Sequence, residues 1–225
     1  MSPELPASGL GAELPHAPGV STVQADSPAS IPQRDRMLMG MANTISKHGY
    51  RGATITEVVR FAKVSKRTFY EEFGDKESCF LELYEQTHRV FEQLITEQSR
   101  HSTDWREQIR SGARAYFNAL AAEPRLTQAY FIEIATLSER ATKLRRAAFD
   151  HFAQVLVDLV EQGRVNNPDI PSRPLSHTMA VALLGGMTEL LIGAIERDDL
   201  AESIDALVEV SNDLIGTMVT GQFPE

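Results

Sequence analysis

Residues Thr54 to Lys76 read TITEVVRFAKVSKRTFYEEFGDK, and the fold turns on how this stretch is divided. Thr54 followed by Glu57 is a capping-box spacing, in which the hydroxyl accepts a bond from the third backbone N–H while the acid reaches back. Val58, Val59, Phe61 and Ala62 supply an apolar face, so a helix of about two turns is expected here. Ser65 caps a second short helix. Lys66, Arg67 and Thr68 fall on its first turn, and Phe69, Tyr70 and Phe73 recur at spacings that bind a helix to a core. Basic residues on the leading turn and aromatics behind them are the division a helix-turn-helix reader needs, since its second helix contacts base edges through its amino-terminal residues.

Working outward, Gln33 to His48 forms a bracing helix with Met37, Leu38, Met41, Ala42 and Ile45 on one stripe, stopped by Gly49. Downstream, Asp75 is a plausible cap for a long helix carrying Phe80, Leu81, Tyr84, Thr87, Phe91, Leu94 and Ile95. With Gly49, Thr54 and Thr56, the run Val64 to Tyr70, Phe73, Lys76, Glu77 and Leu81 in place, residues 35 to 84 resemble the TetR family of transcriptional regulators. Two positions depart from that pattern. Lys63 stands in the turn where the family usually has glycine, and Arg67 stands in the second helix where another small residue is common. A side chain at a turn of positive φ costs about 1 kcal/mol and leaves the turn possible.

Charge divides by region. The chain carries −9 overall, which by itself argues against a nucleic-acid partner. Residues 1–33 hold three acids and no Lys or Arg, residues 34–76 hold nine basic and five acidic residues, and residues 77–225 hold thirteen basic and twenty-three acidic residues. The basic island coincides with the helix-turn-helix pattern, and counterion release depends on charge at the contact surface.

The segment 1–31, with Pro3, Pro6, Pro15, Pro18 and Pro28 among Ser, Ala and Gly, reads as a disordered tail. It has neither the basic start nor the apolar run of a secretory leader. Cys79 is the lone cysteine. No intrachain disulfide is possible, and a cytoplasmic location is expected. Residues 32–78 are then the helix-turn-helix domain and 79–222 a larger all-helical domain, giving an all-α chain of about nine helices.

Within the larger part, Asp104 and Glu107 form a second capping box opening a helix with Ile109, Ala113, Tyr116, Phe117 and Leu120. Pro124 suits the first position of a short helix running through Tyr130, Phe131, Ile134 and Leu137. Ser138 to Val165 reads as one long helix closed near Gly163 and by Asn166, Asn167 and Pro168, with a proline loop after it. The last two helices span about Pro174 to Arg197 and Asp199 to Thr220. The second keeps a near-heptad stripe of Ile204, Leu207, Val208, Ser211, Leu214, Ile215, Met218 and Val219. The first carries Gly185, Gly186 and Gly193 within Met179 to Ile195, a run shorter than the ~20 residues of a membrane span and interrupted by Glu189. Small residues let helices approach closely, so close helix packing in a homodimer is expected, with no membrane partner.

What the resemblance adds is function. It implies a homodimer, paired through its last two helices, on an inverted-repeat DNA operator, and usually a repressor released by a small-molecule effector bound in the body. Lys66, Arg67 and Thr68 then read base edges, while Thr54, Thr56, Tyr70 and Lys76 meet phosphate. Ser65 lies in the same stretch as the cap, and Phe69 belongs to it chiefly for packing. The implied effector pocket, for an apolar molecule, takes its candidate lining from Tyr116, Phe117, Tyr130, Phe131, Phe149, Phe152, Met179 and Met187, with Glu133, His151, His177 and Glu189 as polar partners. Every one of these also satisfies ordinary core packing at helical spacing.

Two other classes compete. An enzyme finds little support: the six histidines show no HExxH or similar metal spacing, and no phosphate-cradling glycine loop or nucleophile elbow is present. No cofactor or metal is expected. A dimeric binding module without DNA is opposed by the basic island and its outward Lys66–Arg67 pair.

Overall fold

The computed structural model describes residues 31–221, and the proline-rich tail expected over 1–31 lies almost wholly outside them. Among the described residues the chain is all-α. Its nine helices are α1 (Gln33–Gly52), α2 (Ile55–Ala62), α3 (Lys66–Phe73), α4 (Lys76–Ser99), α5 (Trp105–Ala122), α6 (Pro124–Phe131), α7 (Glu139–Asn166), α8 (His177–Glu196) and α9 (Leu200–Thr220), with a short 3-10 turn at Glu133–Thr136 between α6 and α7.

Side-chain caps set most of the helix starts. Thr54, Ser65, Asp75, Asp104, Ser138 and Ser176 each accept from the backbone N–H three residues on, satisfying one of the orphan donors of a first turn. Pro124 occupies the first turn of α6, where its missing N–H costs nothing. The helix expected to continue through Leu137 breaks at Ile132 into the 3-10 turn. α7 runs through Gly163 and ends at Asn166 with Asn167 as its cap, where the Asn166–Asn167–Pro168 run is expected to close it.

Two apolar clusters organise the packing. The first joins Met37, Leu38, Met41 and Ile45 of α1 with Val58, Phe69, Phe73, Phe80 and Tyr84, and it also takes in Leu126, Tyr130, Ile134 and Ala141 from the body. Head and body therefore share one core, with α6 set directly against α1. The second cluster runs through α5, α7, α8 and α9 and includes Phe117, Leu120, Leu183, Met187, Leu191, Val208 and Ile215. Phe131 packs against both.

The near-heptad stripe of α9 turns inward. Leu207, Val208, Ser211, Ile215 and Val219 are buried within their own chain, where α9 lies on α5 and α8. The surplus apolar surface belongs to α8. Met179, Ala182, Gly185, Gly186 and Leu190 are exposed, and a Cβ built at Gly185 or Gly186 would meet no atom within 4 Å. Among the described residues α8 is the one helix long and apolar enough to cross a membrane, so the expectation that it is too short does not hold. Its Leu183, Met187 and Leu191 are nonetheless buried against the rest of the chain.

Candidate functional site

The helix pair α2–α3 is fixed to its scaffold by close backbone approach and by arginines. A Cβ at Gly40 of α1 would lie 2.8 Å from the Val58 carbonyl, so only glycine lets α2 settle this deeply. Arg36 donates through Nε to the Ala62 carbonyl at 3.0 Å, holding the carboxyl end of α2. Arg34 bonds Glu82 of α4 at 2.7 and 2.5 Å and Glu72 of α3 at 2.8 Å, while its guanidinium lies 4.4 Å from the Phe73 ring. Neither arginine stood out in the sequence. Apart from the Ile31 carbonyl, which Arg36 also reaches, their partners are 26 to 48 residues away, beyond the reach of local spacing.

The turn between the two helices is left-handed at Lys63, with φ 55 and ψ 47. Its backbone N–H caps Val59 and the N–H of Val64 also reaches the Val59 carbonyl at 3.1 Å, so the conformation is dictated by the helix ending and the lysine tolerates it. The side chain is exposed, placing a further cation ahead of Lys66.

Along α3, Phe69 is fully buried and Phe73 nearly so, which corrects the placing of Phe69 among DNA-contact residues: its ring is spent on the core. Tyr70 is 52% exposed, settling its alternative role as core in favour of surface. Lys66 and Arg67 are exposed, Thr68 is half-buried, and Thr54 and Thr56 are exposed at the start of α2. Ser65 Oγ accepts from the Thr68 N–H at 3.0 Å and lies 2.8 Å from Thr68 Oγ1. Arg67 Nε donates to Glu71 at 2.8 Å, which orients the guanidinium and leaves both terminal nitrogens unbonded. Phe61, expected on the apolar face of α2, is 45% exposed; the face toward the core is covered by Val58, Val59 and Ala62.

Lys76 departs most from its expected role. Its Nζ donates to the Tyr50 carbonyl at 2.9 Å and the Ala53 carbonyl at 3.0 Å and sits 4.2 Å from the Tyr50 ring centroid. Burial lowers its pKa. Two of its three donors tie the start of α4 to the α1–α2 junction, where the chain bends at Gly49 (φ 68). The position is first a clamp, and a phosphate would have only the third donor. Tyr50 is pressed on Phe80 with ring centroids 4.5 Å apart, and burial pushes its hydroxyl up to about 12.

The head is bolted to the body on the same side. Arg125 donates to the Lys47 carbonyl and Ser138 to Glu77, while Arg140 donates to Ser78 at 3.0 Å. Glu133 lies here, with Oε2 buried and unpartnered, so it is not a lining residue of the body cavity.

That cavity has a volume of about 870 Å³, within the roughly 300–1,000 Å³ range of ligand sites. Seven of the eight expected residues line it: Tyr116, Phe117, Tyr130, Phe131, Phe149, Phe152 and Met187. Met179 does not; it is 41% exposed on the outer face of α8. The four expected polar partners also fall elsewhere. His151 pairs with Glu92 at 3.1 Å and His177 with Asp150 at 3.6 Å on the surface, and Glu189 faces outward. The polar lining is different: Tyr84, His88 and Arg145 at the end nearest the head, and Arg100, Thr103, Asp158, Gln162 and Asn166 at the far end. The latter five are all exposed, which makes the far end the mouth. His88 places Nδ1 3.0 Å from the Tyr84 carbonyl, and burial lowers its pKa to about 4, so the ring is neutral with the N–H on Nδ1.

Comparison with known proteins places these features in context. Residues 42–83 match the family described as bacterial regulatory proteins, tetR family. An uncharacterized HTH-type transcriptional regulator of Bacillus subtilis, YdgC, is 28% identical over 105 residues, covering 45% of this chain and 54% of that protein. The chain thus spans about half the length of the curated relative it matches. Among solved structures, the fatty acid degradation regulator FadR of Bacillus halodurans superposes with a TM-score of 0.65 at 19% identity, over 79% of this chain and 97% of that one. FadR of Bacillus subtilis, in complex with stearoyl-CoA, gives 0.58 at 16% identity over 83% and 98%. A putative TetR-family transcriptional regulator of Mesorhizobium loti gives 0.62 at 17% over 83% and 94%. These structural likenesses establish the fold.

Proposed function

We propose that this chain, a member of the TetR family of transcriptional regulators, is a cytoplasmic homodimeric repressor that binds an inverted-repeat operator and releases it when a small apolar ligand fills the body. The observation that carries the reading is α3, whose buried Phe69 and Phe73 leave the Lys66–Arg67 turn exposed on a braced scaffold. In this reading residues 32–78 are the DNA-binding domain and 79–222 the effector and dimerisation domain. Lys66, Arg67 and Thr68 address base edges, with the two free nitrogens of Arg67 suited to a guanine. Thr54, Thr56 and Tyr70 position the head on phosphates.

Dimerisation supplies the second head. Two-fold proteins place recognition helices in successive major grooves about one helical turn apart, and the exposed apolar face of α8 is suited to pairing with its own copy. The effector acts through linkage: it must bind the DNA-free form more tightly than the bound form. The route is short, because α4 carries the cavity-lining Tyr84 and His88 and begins at the Lys76 clamp beneath the head. A body that holds a ligand agrees with the stearoyl-CoA bound by the Bacillus subtilis neighbour.

The test is fluorescence anisotropy of the full chain on DNA flanking its own gene. Specific, salt-sensitive binding is expected, and Arg67→Ala should weaken it by about 1–3 kcal/mol with relaxed specificity. Equal binding to scrambled DNA, unchanged by Arg67→Ala, would defeat operator reading; sedimentation as a monomer at micromolar concentration would defeat the two-fold arrangement.

A further inference from the structure

The deep end of the cavity holds a charge with nothing to answer it. Arg145 lines the cavity from α7, its Nε is buried with no partner, and it makes no hydrogen bond or ion pair with any described residue. Leaving a buried cationic donor unsatisfied is costly, and native chains normally answer such a group. Tyr84 and Tyr116 line the same region, and neither hydroxyl has a hydrogen-bond partner among the described residues. Their mutual proximity shows in their electrostatics: the Arg145 charge acts on the Tyr84 hydroxyl, and Tyr84 acts on Tyr116. Both hydroxyls are pushed up by burial and stay neutral donors. Glu92 also lines the cavity, but its carboxylate is bonded to His151.

Between this donor cluster and the mouth the walls are mainly apolar, with Thr96, Thr188 and Ser211 as uncharged polar exceptions. Phe117, Phe152, Leu156, Leu183 and Met187 line them. From Tyr84 to Arg100 along α4 is roughly 24 Å at about 1.5 Å per residue, so the space is long as well as large. We infer that the cavity takes a single-chain anionic amphiphile, a long-chain carboxylate, entering head first so that its carboxylate meets Arg145, Tyr84 and Tyr116 and its chain lies toward the mouth. The inference rests on the ligand-controlled reading above and narrows it to one chemical class and one orientation. A carboxylate at this depth is a free acid: the bulky nucleotide head of an acyl thioester would have to remain at the Arg100 end, leaving Arg145 facing hydrocarbon.

The experiment uses the full chain and two readouts, calorimetric binding and operator release. Palmitate, cetyl alcohol and palmitoyl-CoA are the probes, against wild type, Arg145→Met and Tyr116→Phe. Wild type is expected to bind palmitate well and cetyl alcohol poorly. Arg145→Met should bind palmitate roughly 10- to 100-fold more weakly, the range that loss of a charge-assisted bond implies, and bind cetyl alcohol no worse than wild type does. Ligand-free Arg145→Met should melt no lower than wild type, since nothing in the protein loses a partner. Tyr116→Phe, which keeps the ring, should weaken palmitate several-fold and leave cetyl alcohol unchanged. Equal palmitate affinity in wild type and Arg145→Met, or cetyl alcohol matching palmitate on wild type, overturns the anion site. Binding of palmitoyl-CoA without binding of palmitate overturns the head-first orientation. If palmitate binds through Arg145 but leaves the operator complex intact, the site stands and the ligand-released repressor falls.

Discussion

Replacing Lys76 separates two roles that the sequence leaves fused. If the residue is chiefly a clamp, Lys76→Ala removes two bonds to backbone carbonyls, at 2.9 and 3.0 Å, and a cation lying 4.2 Å from the Tyr50 ring. Bonds from charged donors contribute about 1.5–3 kcal/mol each, and an exposed cation–ring contact about 0.5–1 kcal/mol. Lys76 is only half-buried and water replaces part of what is lost, so we expect a total of about 2–3 kcal/mol, somewhat below the roughly 3.5 kcal/mol to which the lower ends of those ranges sum. For a chain of this size that is a fall in melting temperature of roughly 4–12 °C. Lys76→Met, which keeps the stem over the ring without the donors, should fall between wild type and alanine. Calorimetric melts of the DNA-free protein are the assay, with operator titrations at several salt concentrations alongside. A phosphate contact gives the opposite pattern: an unchanged melt, weaker binding to every sequence, and a flatter salt slope. That outcome would refute the clamp.

Three further expectations follow from the packing. A Cβ at Gly186 would meet no atom within 4 Å, and Gly186→Leu gains about 0.5–1 kcal/mol of helix propensity. It should therefore melt no lower than wild type as a monomer while dissociating the dimer in sedimentation; an undisturbed dimer would move the interface off this face of α8. His88, held down to about 4 in the folded state against about 6.5 unfolded, makes stability pH-dependent. Below about pH 6.5 the unfolded chain takes up a proton that the fold refuses until pH about 4, so stability falls on acidification through that window and is untouched at pH 7. The loss is at most about 3 kcal/mol, and His88→Phe should remove it from urea titrations compared at pH 5 and 7; identical pH slopes in the two proteins would contradict a neutral, buried ring. Finally, Lys63→Gly relieves about 1–2 kcal/mol of left-handed strain against about 0.5–1 kcal/mol of added chain freedom. A net gain of up to about 1.5 kcal/mol is expected, with Lys63→Val destabilising instead. A lower melt for the glycine variant would show that the turn is not strained.

What the sequence made legible was whatever is decided within a few residues. The caps at Thr54, Ser65, Asp75 and Asp104 are bonds across three positions, and local residue type and spacing mark them. The positive φ of Lys63 is a turn requirement read from its neighbours. Lys76 was opaque because its partners lie 23 and 26 residues back, brought to it only by the docking of α4 beneath α1. Phe61 and Met179 were misplaced for a related reason. Helical spacing tells which residues share a face, and tertiary packing decides which face is covered. Arg145 did leave a trace, since it stands on the stripe of α7 that continues through Phe149, Phe152 and Leu156, all of which line the cavity. A cation on an apolar stripe is the kind of inconsistency that marks a site.

Tyr84 and Tyr130 belong both to the core that supports the head and to the wall of the cavity. A change there that reshapes ligand preference also alters the foundation of the reading helices. At the mouth, Arg100, Thr103 and Gln162 touch no such core. Drift toward new effectors is therefore freest at the entrance and most restricted at the deep end. Related regulators that diversify on this scaffold would be expected to keep the inner contact and vary the gate.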